Sequence, residues 1–134
     1  MKNVLLYLFF LLSTSLALPA QQLINDGTNR NYEVDYERAA GYPGGDEALY
    51  TKMFHEMQYP AEAKEKKITG DLMVSFFVEP DSSVTEVTAL NDLGYGTKEE
   101  AIRLIKSLKF EPAVQNGKAV RQQMMLPVLF RIYD

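Results

Sequence analysis

The end of the chain, residues 120–133, alternates between two kinds of position and carries a proline in its middle. One set of alternate positions is mostly apolar and includes Val120, Met124, Leu126, Val128, Phe130 and Ile132. This period of two predicts a β-strand with one buried face. Pro127 belongs to the other set, with Arg121, Gln123, Met125, Leu129, Arg131 and Tyr133. Because proline has no backbone N–H, such a strand belongs at the edge of a sheet, with that position facing outward.

The segment from Asp71 to Glu79 also has a period of two, but its two faces are both largely apolar. Such a strand is expected in the centre of a sheet. The turn sequence Pro80-Asp81-Ser82 follows it, and residues 84–90 return as the second strand of a hairpin. The apolar phase slips between Val84 and Val87, which predicts a β-bulge there.

Two helices are expected around these strands. The turn sequence Tyr42-Pro43-Gly44-Gly45 precedes the first, in which Leu49, Met53 and Met57 recur at four-residue steps, with Tyr50 and Phe54 beside them. The second begins at Thr97-Lys98-Glu99-Glu100, a sequence typical of a capping box, and continues with Ala101, Leu104, Ile105 and Leu108. Asn116-Gly117, further along, predicts a tight turn.

The first twenty residues have the pattern of a cleavable export signal, with Lys2 before an apolar run and small residues up to Ala20. The alternative is an uncleaved inner-membrane anchor formed by residues 4–18, but a spanning helix needs about 20 apolar residues. We therefore expect a signal peptide at 1–20, an extended leader at 21–41 and one domain at 42–134. Within the leader, Tyr32, Val34 and Tyr36 alternate, so a short strand is an alternative there.

Composition excludes several classes of function. The 14 basic and 18 acidic side chains give a net charge of −4, which does not attract nucleic acid. There is no cysteine and one histidine, His55, and no catalytic or nucleotide-binding motif is present. We therefore predict a protein that is not an enzyme and holds no cofactor or metal. Asp81, Glu99 and Glu100 are assigned to turns and helix caps.

The predicted edge strand leaves two alternatives open. Free backbone donors and acceptors form a template for a partner strand, whereas charge and proline on an edge prevent such pairing. Met125, Leu129 and Tyr133 favour the first alternative, and Pro127 and Arg131 favour the second. Residue types alone do not decide between them.

The order and spacing of several short fragments resemble the TonB C-terminal domain family over nearly all of residues 42–134. The fragments are Tyr42-Pro43-Gly44-Gly45, Glu47-Ala48-Leu49, Tyr59-Pro60 with Ala63, Ile68 with Gly70, Val74-Ser75-Phe76-Phe77-Val78, Val84, Glu100-Ala101, Phe110 with Pro112, Gln115-Asn116-Gly117-Lys118 with Val120, and Leu126-Pro127 with Phe130. The resemblance implies an α+β fold: a three-stranded antiparallel sheet of order 2-1-3 with two helices packed on one face. It also implies a periplasmic module that binds the N-terminal segment of TonB-dependent outer-membrane receptors as a strand added beside the last strand.

The resemblance also assigns the partner-binding positions. They are Gln123, Met125, Leu129, Arg131 and Tyr133 on the last strand, and Glu56, Met57, Gln58, Tyr59 and Pro60 ahead of the first strand. Their expected role is pairing with the partner and not catalysis.

The chain departs from the energy transducers of the family in two ways, and these differences suggest an alternative function. Those proteins keep an N-terminal membrane helix and a long proline-rich spacer, whereas the leader here, fully extended, reaches about 70 Å at about 3.3 Å per residue. The alternative is a periplasmic structural or regulatory domain that self-associates, or docks on an envelope complex such as the inner-membrane motor complex, without transducing energy.

Overall fold

The computed structural model describes residues 22–25 and 31–133. The chain divides into two compact units, residues 1–35 and 36–134. In the first unit, β1 (Gln22–Asn25) and β2 (Asn31–Val34) form an antiparallel hairpin in which Gln22 lies opposite Val34. The predicted signal peptide at 1–20 lies outside the described residues. No helix in the described part of the chain is long and apolar enough to cross a membrane.

The second unit contains the predicted helices and strands together with some that were not predicted. Along the chain they are α1 (Gly45–Glu56), α2 (Ala61–Glu65), β3 (Gly70–Val78), β4 (Val84–Ala89), α3 (Thr97–Ser107), β5 (Ala113–Gln115), β6 (Lys118–Val120) and β7 (Gln122–Phe130).

A three-stranded antiparallel sheet forms the centre of this unit, with the order β4-β3-β7. Nine residues of β3 pair with nine of β7, from Gly70 opposite Phe130 to Val78 opposite Gln122. The pairing of β3 with β4 shifts register between Ser75 and Phe77, and Glu86 on the partner strand has φ 50. The α+β class, the 2-1-3 strand order and the predicted bulge are therefore confirmed.

The hydrophobic core lies on one face of this sheet. The even-numbered residues of β3, Leu72 to Val78, are fully buried, and Val128 and Phe130 of β7 join the same cluster. The helices close this face with the buried side chains of Leu49, Met53, Ala101, Leu104 and Ile105. Each large apolar side chain buried in this way contributes about 1.5–3 kcal/mol. The predicted packing of helices on one face is confirmed, with α2 as a short third helix.

The predicted continuous strand from Val120 onward is interrupted. Val120 belongs to β6, which pairs with β5 in a separate hairpin, and β7 begins after Arg121. The side-chain oxygen of Gln122, which is buried, accepts a hydrogen bond from the Ala40 N–H at 2.7 Å. This bond satisfies a buried backbone N–H at the residue with which β7 begins.

Residues 38–41, at the end of the predicted leader, are part of the second unit and are bonded to residues 111–114. Arg38 and Val114 exchange two backbone hydrogen bonds at 3.2 and 2.8 Å, and Gly41 and Glu111 exchange two more at 3.1 and 2.7 Å. The compact unit accordingly begins at Tyr36, six residues before the predicted boundary at 42.

The predicted capping box at the start of α3 is wrong. Gly96, with φ 87, is the N-cap residue, and no side chain caps this helix. The Thr97 hydroxyl donates to the Gly94 carbonyl at 2.7 Å. Because Gly96 occupies the N-cap position, Thr97 is the first residue of the helix. Its hydroxyl is therefore one position beyond the place from which a side chain caps the helix.

Glu100 instead joins α3 to the end of α1. Its buried carboxylate accepts hydrogen bonds from the Gln58 backbone N–H at 2.7 Å and from the Arg103 guanidinium at 2.6 and 2.8 Å. Arg103 also donates to the Glu56 carbonyl at 3.0 Å. These bonds hold the segment between α1 and α2 against α3.

Replacing Glu100 with alanine is expected to reduce the free energy of unfolding by about 2 kcal/mol, because Gln58 N–H and Arg103 both lose a charged acceptor. The matched control is Glu99→Ala, which removes the neighbouring exposed carboxylate of the same helix turn and should change stability by no more than about 0.5 kcal/mol. Urea denaturation of both variants measures the difference. Equal losses would show that Glu100 acts only through the helix dipole.

Candidate functional site

The backbone of β7 has one side bonded to β3 and one side directed away from it. On β3, the Met73 carbonyl accepts from Leu90 N–H at 2.8 Å, and the Met73 N–H donates to Asn91 Oδ1 at 2.7 Å. Both backbone groups of Met73 are thus used on the β4 side. Met73 lies opposite Pro127 of β7. In an antiparallel ladder this makes Met73 and Pro127 a non-hydrogen-bonded pair, so the Pro127 backbone points outward.

The same alternation places the other odd-numbered residues of β7. Gln123, Met125 and Leu129 direct their backbone N–H and C=O outward with Pro127, and the even-numbered residues bond to β3. Within the described residues, β3 is the strand that pairs with β7. We call the outward backbone groups of Gln123, Met125, Pro127 and Leu129 the free edge.

Side chains along the free edge form a partly apolar surface. Met125 is 55% exposed and Leu129 is 38% exposed. The Gln123 side-chain amide donates to the Ser75 hydroxyl at 2.9 Å, which orders the surface near the start of β7.

Arg121 fixes the entry into β7 through a cluster of charges. Its guanidinium lies over the Phe77 ring at 3.6 Å and bonds Glu79 at 2.5 Å and Glu86 at 3.0 Å. The hydrogen bond from Arg121, helped by one from Thr85, lowers the pKa of Glu79 below its ordinary value.

A pocket of about 310 Å³ lies at the other end of the free edge. It is lined by Tyr50, Met53, Phe54, Met57, Tyr59, Leu129, Arg131 and Tyr133, and we call it the α1–β7 pocket. Phe54 is 63% exposed and Tyr133 is 74% exposed, and their rings meet edge to face at 5.9 Å. The pocket is thus open to solvent, and four of its eight lining residues are aromatic.

The pocket wall is held by defined contacts. The Tyr59 ring packs edge to face on Phe130 at 5.5 Å, and its hydroxyl donates to the Ile68 carbonyl. Burial raises the pKa of Tyr59, and the positive charge of Arg131 opposes this effect. The pKa of Tyr50 is raised mainly by burial and further by the negative charges of Asp46 and Asp71. Both phenols are therefore neutral at physiological pH. Arg131 forms an ion pair with Asp71 at 2.5 Å.

The structure brings together five of the ten residues predicted from the sequence: Met57, Tyr59, Leu129, Arg131 and Tyr133 line one pocket. Gln123 and Met125 lie further along the free edge. Glu56 forms an ion pair with Lys52 at 3.1 Å, and the Gln58 N–H is bonded to Glu100. Pro60 is the N-cap residue of α2. Glu56, Gln58 and Pro60 therefore support the segment and do not line the pocket.

Sequence reasoning included Glu56 of α1 in this site, but not the α1 residues that line the pocket. Tyr50, Met53 and Phe54 line the pocket, although periodicity assigns Met53 to the core. Phe54 carries the signal that identifies it, because it is a large aromatic residue beside the apolar stripe and not on it.

Fold and site together define a small α+β domain with an outward-facing strand edge beside an aromatic pocket. The sequence model of the family described as Gram-negative bacterial TonB protein C-terminal matches residues 55–132, which is more than half of the chain. The chain belongs to this family, whose domains are binding and energy-transducing modules and not catalysts.

Two solved structures are similar to the chain. The solution NMR structure of the Pseudomonas aeruginosa TonB C-terminal domain is 26% identical, with a TM-score of 0.48, over 57% of this chain and 79% of that one. The solution NMR structure of the Helicobacter pylori TonB C-terminal domain is 21% identical, with a TM-score of 0.46, over 68% of this chain and 89% of that one. A search among curated proteins found no significant match.

The direction of the β7 backbone predicts opposite effects of proline at two adjacent residues. Val128→Pro removes an N–H bonded to β3 and should cost about 3 kcal/mol or more, whereas Leu129→Pro removes an outward N–H and should cost about 1 kcal/mol or less. Val128→Ala and Leu129→Ala serve as controls, because they remove the side chain but keep the backbone N–H. Chemical denaturation measures all four variants, and a larger cost at Leu129 than at Val128 would reverse the two sides of the strand.

The lowered pKa of Glu79 predicts a contribution to stability at acid pH. Because the folded pKa lies below the unfolded value of about 4.3, this contribution is fully present above that pH and is lost as pH falls through the folded pKa. Glu79→Gln should therefore flatten the decline of stability over this range, and Arg121→Gln should do the same. Urea unfolding at a series of acid pH values measures the slope, and an unchanged slope in both variants contradicts this role.

Proposed function

We propose that the domain binds an extended segment of a partner protein, which adds as a strand to the free edge of β7. The observation that carries this proposal is the outward direction of the backbone groups of Gln123, Met125 and Leu129. The opposite side of β7 is paired with β3 along its whole length. A strand added here gains backbone hydrogen bonds without any rearrangement of the core.

The partner in this proposal is the N-terminal segment of a TonB-dependent outer-membrane receptor, and the domain acts in the periplasm in support of outer-membrane transport. Membership of the TonB C-terminal family supports both parts. Each backbone hydrogen bond to the partner contributes about 1 kcal/mol net, so the few bonds offered by the free edge give modest affinity by themselves. Exposed Met125 and Leu129 add apolar contact along the same edge.

Self-association through the free edge is the second candidate function. The exposed apolar side chains of Met125, Leu129 and Tyr133 favour it, because a second copy would cover them without any receptor. Such a domain would have a structural or regulatory role in the periplasm.

Titration of the isotope-labelled protein with synthetic peptides that cover receptor N-terminal segments tests the first candidate. We expect amide NMR shifts concentrated in residues 121–133. Leu129→Pro should weaken binding by about 1 kcal/mol or more, whereas Leu129→Ala, which keeps the backbone N–H, should weaken it less.

Shifts confined to β4 would place binding on the opposite edge of the sheet, and the absence of shifts with every peptide would contradict receptor binding. Light scattering on the same samples tests the second candidate. A dimer that dissociates in Leu129→Lys supports self-association, and a strictly monomeric wild type excludes it.

A further inference from the structure

The α1–β7 pocket and the free edge share Leu129. Its backbone groups belong to the edge, and the residue also lines the pocket. A strand that pairs with Leu129 therefore lies next to the pocket. Side chains of a strand alternate between the two faces of a sheet, so every second side chain of the added strand is directed to the face where α1 lies.

The volume of the pocket limits what it holds. About 310 Å³ is at the lower end of the range of roughly 300–1,000 Å³ found for small-molecule sites. This space suits one bulky side chain delivered by a peptide.

The chemistry of the lining limits the occupant further. Seven of the eight lining residues are aromatic, methionine or leucine, and Arg131 is the one with a full charge. Methionine side chains adapt their shape to the group that they contact, and aromatic rings favour edge-to-face contacts with another ring. The lining therefore favours an aromatic or long aliphatic side chain.

Arg131 has donors left for a partner. Its guanidinium donates to Asp71 Oδ1 at 2.5 Å and to the Phe130 carbonyl at 3.1 Å, which are two of its five N–H groups. The Arg131 and Asp71 side chains are each about half exposed, so their ion pair contributes little and is easily shared. A carboxylate next to the bulky side chain of the partner has a cation within reach.

We infer that the α1–β7 pocket binds one aromatic or long aliphatic side chain of the strand that pairs with the free edge, and that an acidic residue of the same strand contacts Arg131. This inference rests on the proposed strand addition and specifies the sequence that the edge prefers.

The test uses the full chain and a fluorophore-labelled host peptide of threonine and serine, about ten residues long, which is enough for one strand. The host carries alanine or phenylalanine at its centre, next to aspartate or asparagine. Fluorescence anisotropy measures the dissociation constants. We expect phenylalanine to bind about tenfold tighter than alanine or better.

Variants of the protein locate this preference. Phe54→Ala and Tyr133→Ala should each reduce the phenylalanine advantage to about threefold or less, whereas Leu90→Ala, which truncates an exposed apolar residue outside the pocket, should leave it unchanged. Aspartate should bind about threefold tighter than asparagine at low salt, and Arg131→Gln should remove that difference.

The outcomes separate this inference from the proposed function. If alanine and phenylalanine peptides bind equally and both are lost in Leu129→Pro, the free edge binds strands and the pocket inference is overturned. If no peptide binds, strand addition fails and the inference fails with it. If the phenylalanine advantage survives in Leu129→Pro, the pocket acts without the edge, which overturns the link between them.

Discussion

The nine-residue pairing of β3 with β7 is the interaction on which the rest of the domain depends. The two strands are separated by some forty residues that include β4 and α3, so this ladder joins the end of the folded unit to its middle. The side chains on its inner face form most of the sheet's contribution to the core, with Val74 and Phe76 from one strand and Val128 and Phe130 from the other. Without this ladder the helices have no continuous apolar surface to cover.

The alternation within β7 separates two tasks. Even-numbered residues bond to β3 and are buried or partly buried, and odd-numbered residues carry the outward backbone groups and include the exposed side chains of Met125 and Leu129. A substitution at an even-numbered residue of β7 therefore acts mainly on stability. A substitution at an odd-numbered residue acts mainly on the surface that is offered to a partner. Leu129 is the residue where the free edge meets the pocket, which makes it the point of contact between backbone pairing and side-chain recognition.

The sequence pattern was sufficient for the central position of β3, the bulge and the outward position of Pro127, because each follows from local periodicity or from a missing N–H, whereas the 2-1-3 strand order was implied by the family resemblance. It was insufficient where partners are distant along the chain. Glu100 has the spacing of a capping residue, but its carboxylate serves Gln58, 42 residues away. Gln122 accepts from Ala40, 82 residues away, and the break before β7 has no local signature. The pocket likewise joins α1 to residues 129–133, and no single segment encodes it.

Pro127 divides the edge of β7 into two short stretches of donors, with Gln123 and Met125 before it and Leu129 after it. A pairing strand needs a run of consecutive hydrogen bonds before its ordering entropy is recovered, and neither stretch is long enough to recruit an arbitrary extended chain. The missing donor at Pro127 therefore weakens the free edge as a general template for strands, and a segment that makes further side-chain contacts is favoured over one that offers backbone bonds alone.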